Sequence, residues 1–334
     1  ARMGDRATST EPGGLAAGGA ANISRSGLGY DPNGNGLSNN AVNSYRVASK
    51  LMTDKLTVNT NIIATPGIKD PLVTDYIMRR LPTYALEMYL LDIPSYSDSN
   101  TRIFEDSTLK PNVIKTADAL TSRAPNSNYS ATYFPDVYVN DTTYNRRVKV
   151  PASVAALGAL SYSDKVSYPW YAPAGFNRAA LDFVSNVDVR LSTSDRDYLY
   201  ENRINPVATF PSSGFVIFGQ KTLQVTKSAF DRVNVRRLFL EIKRVIQDVA
   251  RGLLFEPNDA TTRKTFVSQA TPILALIKAQ AGIENYKVVM DDTNNTAEDV
   301  AASRLNGRIV VIPTRSVEFI AVDFIITPAG VEFV

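Results

Sequence analysis

Apolar residues recur at regular intervals over most of the chain, and the clearest interval is helical. Between residues 231 and 254 they return every three or four positions and so form one face of a helix: Val235, Leu238, Phe239, Ile242, Val245, Ile246, Val249 and Leu253. A second helix is predicted over 259–281, with a kink or a break at Pro272 because proline removes a backbone donor. These two long helices are expected to pack together.

Strand periodicity flanks a shorter predicted helix. Apolar residues alternate over 56–64, Asp70-Pro71 is typical of a helix start, and the apolar run 86–93 stops at Pro94. This order predicts a parallel βαβ unit. Further elements are predicted as strands over 130–139, 286–290, 308–312 and 317–326 and as a helix starting near Ser153. The expected fold class is α/β of a mixed α+β kind, with a mixed β-sheet core, two long packed helices and a smaller portion containing the βαβ unit.

Composition divides the chain into three parts. Residues 1–45 are rich in glycine and asparagine, which predicts a flexible connector or an irregular loop. An α/β portion is expected over 46–150 and a C-terminal domain over 151–334. Because the chain begins at Ala1 and not at a methionine, we expect it to be a fragment of a longer protein.

The net charge and the absence of cysteine and histidine limit the classes of function that the chain can have. Lys+Arg 36 minus Asp+Glu 33 gives a net charge of +3, too small to indicate a nucleic-acid partner. With Cys 0 and His 0, disulfides, thiolate chemistry, Ser-His systems and imidazole metal ligands are excluded. We expect a structural or binding protein with no catalytic residue, no cofactor and no metal. No apolar run reaches the ~20 residues of a membrane-spanning helix, so no membrane insertion is expected.

Three motifs resemble ligand sites but have simpler interpretations. Residues 214–222 approach a phosphate-binding loop, yet Gln220 interrupts the motif and the apolar residues between the glycines indicate a strand. Residues 31–36 match half of a calcium loop, but the twelfth position is Val42 and not glutamate. Asp291 and Asp292 could hold Mg²⁺ together with two later acids, although Thr296 followed by acidic residues is typical of a capped helix.

Two groups of residues are candidates for contacts between subunits. Arg232, Arg236 and Lys243 lie opposite the apolar stripe of the long helix, either as a solvated face or facing an acidic neighbouring subunit. The strand 317–326 is apolar on both faces, and the tail 331–334 has no evident partner in the sequence. An unpaired apolar strand favours pairing with another molecule's sheet. The candidate residues in this second group are Phe319, Phe324, Val331 and Phe333.

Several short segments, taken in their order along the chain, resemble segments of the contractile-tail sheath proteins of myovirus-type bacteriophages. The match is clearest over about 130–334 and rests on residues 170–178 (WYAPAGFNR), 199–207 (LYENRINPV), 218–223 (FGQKTL), 234–238 (NVRRL) and 255–258 (FEPN). Residues 64–70 and 91–94 are similar to more N-terminal elements of the family. Phe218 and Lys221 depart from the tryptophan and arginine of the family pattern.

The resemblance implies a structural function. Family members stack as six-fold rings around an inner tube and contract to drive the tube through the host envelope. The implied partners are copies of the chain itself, the inner tail tube protein, and baseplate and tail terminator proteins. The implied location is the virion tail, after assembly in the host cytoplasm. The region 151–334 would be the C-terminal sheath domain, and 46–150 part of the sheath core or an inserted domain.

Three alternatives remain open at this point. A sheath from a bacterial contractile injection system would carry similar residues. A lattice-forming virion or surface protein would share the apolar terminal strand. A metal hydrolase that works without histidine would need an acidic cleft around Asp291.

Overall fold

The computed structural model describes residues 40–54, 58, 60–84, 86–104, 108–316 and 318. Its helices are α1 Asn40–Met52, α2 Pro71–Tyr84, α3 Val113–Arg123, α4 Ala152–Val166, α5 Thr193–Glu201, α6 Val233–Arg251, α7 Ala260–Ala279 and α8 Ala297–Ala301. Its strands are β1 Ile62–Ala64, β2 Met88–Leu91, β3 Ser95–Tyr96, β4 Arg102–Ile103, β5 Ser130–Phe134, β6 Val137–Asp141, β7 Arg146–Val150, β8 Val184–Val187, β9 Ile204–Phe210, β10 Gly214–Ile217, β11 Ile283–Val289 and β12 Arg308–Pro313. The mixed α/β class expected from the sequence is confirmed.

A five-stranded mixed sheet forms the main core. Its order is β1-β2-β5-β9-β10, with parallel pairing from β1 to β9 and an antiparallel β10 at the edge. Every residue of β2 and β5 is buried, which is typical of central strands covered on both faces. The unit β1–α2–β2 is the predicted parallel βαβ. The sheet takes strands from both sides of residue 150.

A second layer is built from α6, α7 and the antiparallel pair β11–β12. Leu238 and Ile242 of α6 pack with Leu274 and Ile277 of α7 and with Ile283 of β11. The predicted apolar stripe of the long helix therefore faces α7 and this two-stranded sheet. A smaller cluster around Phe266, Ala270 and Met290 extends the same contact.

Tight packing fixes the turn between α7 and β11. A Cβ built on Gly282 would lie 2.7 Å from Cγ2 of Ile277 and 3.0 Å from the Trp170 ring. The Trp170 indole also stacks on Tyr168 at 4.9 Å between ring centroids and donates to the carbonyl of Gln280 at 3.0 Å. The stacked rings of Tyr168 and Trp170 therefore close the end of α7.

Several predicted elements differ from those observed. Of the strand expected over 56–64, the described residues contain only β1, and α1 begins inside the region expected to be a connector. The strand expected over 130–139 is two strands, because Pro135 lies between β5 and β6 and cannot donate to a ladder. Pro272 does not break α7. Both Pro272 and Ser268 are exposed, so the carbonyl that loses its helical donor faces solvent.

Candidate assembly surface

The three basic residues expected on one solvated face of α6 do not form such a face. The Arg236 side chain is 7% exposed and lies between two rings, 4.2 Å from the Tyr129 centroid and 3.9 Å from that of Phe230. It also donates to the carbonyl of Asn128 at 3.2 Å. Lys243 is exposed. The expectation of one shared face is wrong because the segments before β5 and before α6 cover the start of the helix at Arg236, whereas Lys243 further along is exposed.

Arg232 anchors the chain where it leaves the second layer. Its guanidinium donates to both oxygens of Glu318, at 2.5 Å and 2.8 Å, and pairs with Asp231 at 3.1 Å. Tyr200 donates its hydroxyl to Glu318 at 2.7 Å, and Gln220 donates its amide at 3.2 Å. We call these residues the Glu318 clasp. The other candidate residues, Phe319, Phe324, Val331 and Phe333, lie outside the described residues, as does the rest of the predicted strand 317–326.

Further hydrogen bonds attach the residues that follow β12 to the rest of the second layer. Thr314 donates its N–H to the carbonyl of Gly282 at 3.2 Å. Asn234 donates its side-chain amide to Ser316 Oγ at 2.9 Å and to the Trp170 carbonyl at 3.2 Å. Thr314, Ser316 and Glu318 are therefore fixed against the start of α6 and the turn after α7.

Electrostatics favour an ionised Glu318. Partial burial opposes ionisation, but the hydrogen bonds from Arg232 and Tyr200 outweigh it and hold the pKa of Glu318 below its ordinary value. Burial and the bond to Glu318 raise the pKa of Tyr200, which stays a neutral donor. Burial, followed by the nearby Arg232, lowers the pKa of Lys221, whose amino group lies 3.8 Å from the Tyr200 centroid.

Glu318→Gln is expected to destabilise the chain by about 1–2 kcal/mol near neutral pH, because the charge-assisted bonds to Arg232 are lost while the pair is partly exposed to solvent. A carboxyl with a lowered folded pKa stabilises above its unfolded pKa and loses that contribution as pH falls through the folded value. Melting curves of both proteins should therefore converge as pH drops below about 4. A difference that persists unchanged in acid would contradict an ionic clasp.

The two-stranded sheet β11–β12 lies next to this clasp, and both of its edges are open within the described residues. Within the described part of the chain, neither strand pairs with a third strand. Ile309 and Val311 face the helices, whereas Val310 and Ile312 are 45% and 51% exposed. A cavity of about 540 Å³ adjoins this end, lined among others by Lys227, Asp231, Arg232, Arg315 and Glu318. Open edges and exposed apolar residues suit the addition of a further strand.

The motifs that resembled ligand sites have structural roles. The apolar run from Gly214 is strand β10. Thr296 and Asp299 form a capping box at the start of α8, and Asp292 pairs with Arg263. Among the residues that the structure describes, no group of three or more potential metal-ligating side chains is present. No described helix is long and apolar enough to cross a membrane. The motif at 31–36 lies outside the described residues.

Comparison with known proteins gives a family match over the second layer. Residues 225–327, from the loop before α6 to beyond the Glu318 clasp, match the family model of the phage tail sheath C-terminal domain. The resemblance seen in the sequence is thereby confirmed for the second layer and its exit segment.

Individual relatives extend the match. The chain is 40% identical over 196 residues to the tail sheath protein of Vibrio phage KVP40, covering 59% of this chain and 29% of that protein. It is 38% identical over 189 residues to the tail sheath protein of Enterobacteria phage T4, covering 57% of this chain and 28% of that protein. The chain thus spans less than a third of the length of these two relatives.

Solved structures share the fold. The sheath complex of the extracellular contractile injection system PVC, in its contracted state, aligns with a TM-score of 0.66 at 19% identity over 85% of this chain and 78% of that chain. The contracted helical sheath of the anti-feeding prophage aligns with a TM-score of 0.65 at 21% identity over 86% and 74% of the two chains.

Proposed function

We propose that the chain is part of a structural subunit of a contractile phage tail sheath. Such subunits polymerise as stacked six-fold rings around an inner tube and shorten to drive it through the host envelope. The observation that carries the proposal is the match of 225–327 to the tail sheath C-terminal domain, in a layer whose two-stranded sheet pairs with no third strand among the described residues. A structural role needs no catalytic residue, cofactor or metal.

The partners follow from the same proposal. Copies of the chain would contact one another through the predicted strand 317–326 and the tail 331–334. The inner tail tube protein would line the inside of the rings, and baseplate and tail terminator proteins would close the two ends. The protein would be a component of the virion tail, assembled in the host cytoplasm. A sheath of a bacterial contractile injection system is the second candidate, favoured by the shared fold with the PVC and anti-feeding prophage sheaths.

Negative-stain electron microscopy of the full-length protein tests the proposal. Hollow tubes with six-fold helical symmetry are the expected result, and flat sheets, shells or monomers at all concentrations would contradict it. The source of the tubes separates the two candidates. A phage tail sheath is expected on particles that carry a DNA-filled head, whereas an injection-system sheath is expected on particles without one.

Deleting residues 331–334 from the full-length protein is expected to abolish tubes while leaving the subunit folded. The reason is that a short apolar tail contributes most when its backbone pairs with a neighbour's sheet. Circular dichroism melting and electron microscopy measure the two properties separately. Normal tubes from the shortened protein would exclude this tail as an assembly element.

A further inference from the structure

The turn between α6 and α7 exposes two large apolar side chains. Phe255 is fully solvent-exposed, and Leu254 beside it is 64% exposed. Phe255 has φ +70°, in the left-handed region that costs an L-residue free energy. Exposure and backbone strain coincide at one residue, which is typical of a position kept for a contact. We call Leu254 and Phe255 the helical tip.

The helical tip is held in place by its surroundings. Glu256 donates its N–H to the carbonyl of Leu253 at 3.3 Å, and Asp259 caps α7 through the N–H of Thr262 at 2.8 Å. Asn258 donates its side-chain amide to the carbonyl of Arg304 at 2.9 Å, which ties the turn to the segment before β12. The ring of Phe255 is therefore presented on a fixed turn, so that little conformational entropy would be lost on docking.

A cluster of rings lies at the surface beside β9 and β10. The centroids of Phe176, Phe210 and Phe218 are 4.9 to 5.9 Å apart, and Phe176 and Phe218 are 49% and 45% exposed. The guanidinium of Arg196 lies 5.0 Å from the Phe210 centroid and 6.0 Å from that of Phe218. We call these four residues the aromatic socket. It can accept one more ring in the edge-to-face geometry that aromatic clusters prefer.

The helical tip and the aromatic socket are at opposite ends of α6. Val233, the first residue of α6, donates its N–H to the carbonyl of Gln220 at 2.8 Å, two residues after Phe218. The tip follows the last residue of this 19-residue helix, about 28 Å further along the axis. Two different patches on one chain, at its two ends, can only join copies head to tail. A head-to-tail contact generates rings or helices.

Charges around the two patches are complementary. Two exposed acidic residues, Glu256 and Asp259, follow the helical tip. Arg196 donates to Thr193 Oγ1 at 3.0 Å, and among the described residues no carboxylate lies within ion-pair distance of it. We propose that the helical tip of one copy inserts into the aromatic socket of a second copy, with Phe255 joining the three rings and Glu256 facing Arg196. This rests on the self-assembly proposed above.

Cross-linking tests the contact directly, because the chain has Cys 0 and single cysteines can be placed freely. Cysteines are placed beside the contact so that its rings are kept: chains carrying Leu254→Cys are mixed with chains carrying Ser212→Cys, an exposed position two residues after Phe210, and treated with a short bis-maleimide reagent. A heterodimer is expected in excess over that from the control mixture of Leu276→Cys with Ser212→Cys, since Leu276 is an apolar residue on α7 that is 58% exposed. Equal yields from the two mixtures would overturn the proposal.

Phe255→Gly separates assembly from folding. Glycine adopts a positive φ freely, so the melting temperature should equal or exceed that of the unchanged protein. In the full-length protein the concentration needed for tubes should rise about ten-fold, because a central aromatic anchor is lost. Tubes at the original concentration would overturn the proposal, and so would a large fall in melting temperature, which would give Phe255 a folding role. If the cysteine pair cross-links but the unchanged full-length protein forms no tubes, the contact between tip and socket is supported and the proposed sheath function is contradicted.

Discussion

Asp92→Ala is expected to lower the free energy of unfolding by about 3–4 kcal/mol, because three donors, of which the two on Ser153 are buried, lose their shared acceptor. Asp92 is 1% exposed and follows β2. It accepts from the N–H of Gly67 at 2.9 Å, and from the N–H and hydroxyl of Ser153 at 3.0 Å and 2.7 Å. Burial, and then the neighbouring Asp136, raise the pKa of Asp92, so these donors compensate an otherwise unfavourable carboxylate. The variant therefore loosens the turn after β1 and the start of α4 together.

Urea unfolding measures this change, and Asp248→Ala is the matched control. The side chain of Asp248 is 64% exposed and pairs with Arg251 on the surface of α6. Its removal should cost no more than about 0.5 kcal/mol. If the two variants unfold at the same urea concentration, the bonds at Asp92 do not hold the parallel sheet together.

Arg236→Ala is expected to destabilise the isolated chain by about 2–4 kcal/mol. The substitution removes a guanidinium that fills the space between Tyr129 and Phe230, and it leaves the carbonyl of Asn128 without this donor. Arg236→Lys should recover only part of the loss, since an ammonium cannot stack on two ring faces as a planar group does. Thermal and urea unfolding of the isolated chain measure both effects.

The control for this experiment is Arg251→Ala, whose side chain is 46% exposed at the far end of the same helix. Little change in stability is expected from it. An Arg236→Ala chain that melts normally but fails to assemble would return Arg236 to the contact between subunits that the sequence suggested.

The helices predicted correctly are those in which periodicity and end signals agree. α6 has a continuous apolar stripe, and α2 begins at Pro71 after Asp70, whose carboxylate accepts the N–H of Leu72 at 2.7 Å. α3 was missed, since its surroundings are rich in serine and threonine. The signal that could have found it is Asn112, which caps the helix by accepting from Lys115. α5 likewise carries a capping box at Ser192 and Asp195.

The candidate site shows what periodicity leaves out. A helical repeat identifies which residues of α6 lie opposite the apolar stripe, but it does not tell which of them another part of the chain will cover. Arg236 is covered by residues 128–129 and 230, and it is 108 residues from its hydrogen-bond partner Asn128. Arg232 is 86 residues from its partner Glu318. Such contacts depend on the complete topology. The helical tip was similarly missed, because the exposure of Phe255 follows from a left-handed turn that no apolar pattern encodes.

The Glu318 clasp also determines how a mechanical load would pass into the subunit. Tension applied to the segment beyond residue 318 meets Arg232, Tyr200 and Gln220 first. Gln220 follows β10 and Tyr200 lies in α5 just before β9, so both are joined to the five-stranded sheet, whereas Arg232 precedes α6 in the second layer. The applied force is therefore shared between the two layers before it reaches β12. Peeling of β12 from β11, one hydrogen bond at a time, is thereby avoided. If a neighbouring subunit holds the residues beyond 318, as proposed above, the described part of the chain would move as one body.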